Sequence, residues 1–197
     1  MRTVIFGPGN IEEHLNRLIK HKKIKNSEEY WQHVDKIVEK LKGKELVLLP
    51  DRGLPFEIAK RAKKQGNKII YVIPKNDKEW GIKHIEKNIE DFPPDEIIDC
   101  ETWRNQHFVM GILGEEILYL GHTSGTFYEI GNAYYIYKLI TGKKKGAEID
   151  PLKIHSETRA HLTKKFITYV YKPFLVEDFP IDFKEIVKDM NGEIKEL

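Results

Sequence analysis

Gly121-His122-Thr123-Ser124-Gly125-Thr126 stands directly after a buried-looking apolar run and directly before a long helical pattern. Its glycines let the backbone turn tightly and come close to a ligand. The unpaired amides and positive dipole end of a helix start attract an anion. Thr123, Ser124 and Thr126 add hydroxyl donors, so a phosphate is the natural occupant. The spacing is not that of a P-loop, because no Gly-Lys-Ser/Thr follows. A plainer reading exists: Thr126-Phe127-Tyr128-Glu129 is also a capping box, in which Glu129 only satisfies a backbone amide. At this point both readings stand.

Two further loops have chemistry of their own. Gly7-Pro8-Gly9-Asn10 is half of a Gly-x-Gly-x-x-Gly fingerprint, with Glu12 where the third glycine would be. It reads equally as a phosphate loop or an ordinary strand-to-helix turn. In Pro50-Asp51-Arg52-Gly53, Arg52 could grip a phosphate or carboxylate and Asp51 a ribose hydroxyl. The alternative is an Asp-Arg surface pair in a turn. His122 is the histidine placed in a candidate loop, while His14, His21 and His33 fall on helical patterns as surface positions. No histidine has the spacing of a metal ligand set, so no metal site is expected. Ser124 lacks a Gly-x-Ser-x-Gly setting, which argues against a serine hydrolase.

These loops punctuate a regular alternation. Val4 to Phe6, Leu46 to Leu49, Ile69 to Ile73 and Ile117 to Leu120 read as buried strands, and Glu96 to Asp99 as an edge strand. Between them lie helical patterns: one capped by Asn10 with Ile11, Leu15, Leu18 and Ile19 inward, and one capped by Ser27. Others begin near Pro55, run loosely through Trp80, Ile82, Ile85 and Ile89, and span Trp103 to Leu113 and Phe127 to Ile140. Tyr128, Tyr134, Tyr135 and Tyr137 on the last of these suit a core or a dimer interface. Ile167 to Tyr171 reads as a strand, and Phe183 to Met190 as a last helix. This rhythm selects a Rossmann-like, three-layer α/β/α fold with a mainly parallel sheet, in one domain over residues 1–197. In such sheets ligands bind beyond the carboxyl ends of strands where strand order reverses, which points to the same three loops.

Composition excludes several classes. The 197 residues include 33 basic and 31 acidic side chains, a net charge of +2 that argues against a dedicated nucleic-acid surface. Lys143-Lys144-Lys145 reads as solvated charge. No apolar stretch approaches a membrane span, and the early Gly7-Pro8-Gly9 leaves no room for a signal peptide. Cys100 is alone, so no internal disulfide forms, in keeping with a reducing cytoplasm.

Several segments, in order, resemble the LOG-like ("lysine decarboxylase-like") group. It belongs to a Rossmann-like superfamily that also holds DprA-type and molybdenum cofactor carrier proteins. The resemblance runs over residues 1–142: the opening strand and small-residue loop, the stretch Leu46 to Pro74 closing on Ile-Pro, Arg104-Asn105, and Gly125-Thr126-x-x-Glu129 after a strand. It departs where His122 interrupts the family's glycine pair, where Pro50-Asp51-Arg52-Gly53 replaces a triple glycine, and over residues 143–197. The resemblance implies a homodimer with a bound nucleotide or nucleotide-like phosphate and no certain cofactor. It further implies an alternative as a hydrolase of the N-glycosidic bond of nucleoside 5′-monophosphates, with Glu129 and Arg104 catalytic, and a second alternative as a cofactor carrier or interaction protein.

Overall fold

The computed structural model describes residues 1–75, 77, 82–141 and 166–197. Trp80, Lys143 to Lys145 and the side chain of Tyr137 lie outside that description. Strands β1 (Arg2–Phe6), β2 (Glu45–Leu48), β3 (Lys68–Ile73), β4 (Glu96–Asp99), β5 (Glu116–Tyr119), β6 (Phe166–Val170) and β7 (Gly192–Glu196) form one sheet in the order β4-β3-β2-β1-β5-β6-β7. Every pairing is parallel. Helices cover both faces, which is why β1, β2, β3 and β5 are apolar runs without alternation.

Alternation is visible instead in where successive side chains go. Ile5 joins the core under α1 (Ile11–Lys20), α2 (Ser27–Lys40), α3 (Leu54–Lys64) and α4 (Lys83–Asp91). Val4 and Phe6 join the core under α5 (Trp103–Leu113), α6 (Ser124–Thr141) and α7 (Ile181–Asp189). Right-handed crossovers explain the division. From β1 the chain steps toward β4 with its helices on one face, then returns through α5 on the other face to place β5 against the free side of β1. The three-layer Rossmann-like fold read from the sequence is the fold observed.

The differences are local. Asn26, not Ser27, caps α2, its side chain accepting from Glu29 N at 2.9 Å. Helix α1 is rolled from its expected stripe, burying His14 and leaving Ile19 37% exposed. His14 is therefore not a surface residue. Its Nε2 donates to the Phe174 carbonyl, which can only accept, and its Nδ1 accepts from Tyr30 Oη, both at 3.1 Å. Desolvation lowers its pKa to about 4, so the ring stays neutral. Strand β7 has no clear sequence signal: Gly-Glu-Ile-Lys-Glu carries one apolar residue, enough for a sheet edge but not for a pattern.

The loop after β1 is locked to the loop after β2. Leu54 N donates to Pro8 O at 2.9 Å. Gly53 has φ +108°, and a Cβ there would stand 2.4 Å from Pro8 O and 2.5 Å from Gly9 Cα. Gly53 is thus required for backbone contact between loops. Gly53→Ala is expected to cost about 3 kcal/mol, combining an unfavourable backbone region with overpacking. Urea unfolding measures this, and a cost under about 0.5 kcal/mol would show that the loops are not locked.

Candidate functional site

β1 and β5 are neighbours, yet their outgoing connections cover opposite faces of the sheet, so a crevice opens beyond their carboxyl ends. A pocket of about 230 Å³ occupies it, walled by Gly7, Gly9, Asp51, Arg52, Thr123, Gly125, Thr126 and Glu129 with apolar support from Ile5, Leu49, Pro55 and Met110. All three loops singled out in the sequence contribute.

Of the expected residues outside the wall, most have structural duties. Asn10 accepts from Glu13 N at 3.1 Å and caps α1. Pro8 and Gly53 form the loop lock. Gly121, at φ +147°, lies where a Cβ would come within 2.9 Å of His14 Nε2. Ser124 is exposed beside the pocket. Around Gly9 and Gly125, by contrast, the nearest atoms to an added Cβ lie 4.0 and 3.7 Å away, so these two keep backbone open toward the pocket.

The start of α6 decides between the two readings of its loop. Thr126 N donates to Thr123 Oγ1 at 3.1 Å and Thr123 N to Thr126 Oγ1 at 2.8 Å, while Thr126 Oγ1 donates to Gly121 O at 2.7 Å. The helix begins at Ser124, three residues before the expected Phe127. The reciprocal cap is therefore Thr123 with Thr126, and Glu129 takes no part in it. Among the described residues the amides of Ser124 and Gly125 have no hydrogen-bond partner, as expected of a first helical turn.

Glu129 is left to the pocket. Its side chain keeps 21% of its surface exposed and faces His107 on α5, whose Nδ1 lies 3.7 Å from Oε1. That is too long for a hydrogen bond, and His107 Nδ1 is buried without a partner. Desolvation pushes the Glu129 carboxyl up to about 8 and moves the His107 imidazole below its ordinary value. At neutral pH the pair is thus a carboxylic acid facing a neutral ring. Arg104, one turn earlier on α5, is exposed and does not line the pocket.

Asp51 accepts from His84 Nε2 at 2.8 Å, and Asn88 Nδ2 donates to Pro50 O at 2.8 Å, so α4 braces the loop after β2. Arg52 has no side-chain bond among the described residues. His122 turns away from the pocket. Its Nε2 donates to Glu177 O at 2.8 Å, its Nδ1 accepts from Tyr119 Oη at 3.0 Å, and its ring stacks on Phe127. Sequence reading passed over Met110, which lines the pocket, and His107, which stands against Glu129. Their signal was the position of Gly111 on the same helix, since a glycine inside an apolar helix marks a close crossing.

No family model matches the chain, and neither a curated protein nor a solved structure matches it. Function therefore rests on the chemistry of the pocket.

A carboxyl whose folded pKa is raised stabilises the fold fully below its unfolded value, near 4.5, and loses that contribution as pH climbs through about 8. Each unit corresponds to about 1.4 kcal/mol. Glu129→Gln is accordingly expected to raise stability by on the order of 4 kcal/mol at pH 8 and to leave it nearly unchanged at pH 4.5. Thermal melts at the two pH values read this directly, and an equal effect at both would show that Glu129 ionises normally.

Proposed function

We propose that the chain binds a nucleotide or nucleotide-like phosphate in the crevice beyond β1, β2 and β5. One observation carries this reading: the unpaired amides at the start of α6 sit beside a pocket that Arg52, Gly9, Gly125 and the protonated Glu129 also line. The amides and Arg52 supply donors and positive charge for a phosphate. A neutral carboxyl beside it adds a donor rather than repulsion. Asp51, held by His84, supplies an acceptor suited to a ribose hydroxyl. Ile5, Leu49 and Met110 offer apolar wall for a base.

The state of Glu129 favours a second reading, hydrolysis of the N-glycosidic bond of a nucleoside 5′-monophosphate. In that reaction the bond between C1′ and the base nitrogen breaks, the base leaves with the electron pair, and water adds its oxygen to C1′. Glu129 can give its proton to the departing base; the carboxylate it becomes then faces the positive charge growing on the sugar and takes up the proton that the water loses as its oxygen bonds to C1′. Arg104 does not share this pocket, so the step is proposed without it.

Two further parts belong to the proposal. Phe127, Tyr128 and Tyr135 leave 43–59% of their surfaces exposed along α6, which suits association of two copies as a homodimer. Cys100, buried with its thiol pushed up to about 12, suits a reducing cytoplasm.

Calorimetric titration with nucleoside mono-, di- and triphosphates is expected to show saturable binding to one class near micromolar affinity, about 8 kcal/mol. Gly125→Val should abolish it by filling the pocket. No heat across the panel rejects the binding reading. If base release from a monophosphate accompanies binding, Glu129→Gln should remove release and keep binding; equal rates reject the hydrolytic reading.

A further inference from the structure

His107 stands against Glu129 with its Nδ1 buried and without a hydrogen-bond partner. Gly111 packs on α6 so closely that an added Cβ would lie 3.2 Å from Ala133 Cα. His107 stands one turn before Gly111 on α5, and Glu129 one turn before Ala133 on α6. The crossing that brings Gly111 onto Ala133 therefore also brings the imidazole against the carboxyl, at 3.7 Å. Closing that gap to a hydrogen bond takes less than about 1 Å, within reach of a side-chain rotation.

We propose that His107 is the proton-exchange partner of Glu129: the pair holds one proton, resting on the carboxyl and exchanging with His107 Nδ1 across the α5–α6 crossing. The transfer breaks the Glu129 O–H bond and forms an Nδ1–H bond. Nothing else changes, and the net charge of the pair stays zero. That neutrality allows the transfer in a desolvated position, where an isolated charge would be costly. The resting side is set by burial, which disfavours charge on both groups.

The surroundings leave the pair to itself. On the pocket side, the loop after β2 brings Asp51, already bound to His84, and Arg52. From β5 comes Tyr119, whose hydroxyl donates to His122 Nδ1. From α6, Tyr128 lies edge-on to the His107 ring at 5.0 Å. From α1, Arg17 reaches the His122 carbonyl rather than Glu129. His107 is a positioning residue here: it acts on a ligand through Glu129. The inference deepens the proposed function and rests on it for the ligand, because where the shared proton sits decides whether a ligand meets an acid or a carboxylate at Glu129.

The test is a pH titration from 5 to 10 of the ligand-free protein by NMR, following the His107 ring nitrogens and the Glu129 carboxyl carbon. The expected result is two His107 transitions, one below its ordinary range and one sharing its midpoint with Glu129. Glu129→Gln should erase the upper transition and keep the lower, and as the more stable variant it should fold. In His107→Gln, Glu129 should titrate with a different midpoint. A single His107 transition in the wild type, or an upper one that survives Glu129→Gln, overturns the pairing. Since no nucleotide is added, failure of nucleotide binding is a separate result.

Discussion

β1 hydrogen-bonds to β2 on one side and β5 on the other, both in parallel, and the helices joining these strands lie on opposite faces of the sheet. Beyond the carboxyl ends of β1 and β5 no helix can cover both connections at once. The crevice follows from strand order alone, before any side chain is specified. The loops that border it then have two opposing requirements. They must pack tightly enough to be rigid and must leave backbone exposed to a ligand. Glycine serves both, at different positions: Gly53 and Gly121 where chains touch, Gly9 and Gly125 where they stay open.

The start of α6 shows the same division in polar groups. Thr123 and Thr126 satisfy each other and Gly121 O, which fixes the turn without using any group that a ligand needs. Glu129 is thereby excluded from capping and pressed between α5 and the pocket. Its burial costs the fold stability as pH rises, and among the described residues no Lys or Arg forms an ion pair with it. A carboxyl kept in such a place, in a cleft beside a partly buried imidazole, has the character of a functional group rather than a structural one.

Much of this was legible in the residues. The apolar runs and the glycines between them gave the strand–helix alternation, and the rule for parallel sheets gave the three loops that meet. What escaped has physical reasons. Glu129 matches a capping box three residues from Thr126, and only the helix start at Ser124 shows that the box belongs to Thr123. His14 carries a polar ring on a helix and reads as surface, yet two hydrogen bonds satisfy it in the core. His107 is three residues from Arg104, but which of them faces α6 depends on the crossing at Gly111, a tertiary fact. Strand β7, Gly-Glu-Ile-Lys-Glu, had too little apolar content to register as a strand.

The most direct test of the ligand site is amide chemical-shift mapping of the labelled protein titrated with adenosine 5′-monophosphate. The account predicts saturable shifts concentrated at Gly9, Arg52 and Thr123 to Thr126. Absent shifts, or shifts centred elsewhere such as the β6–β7 edge, would contradict it.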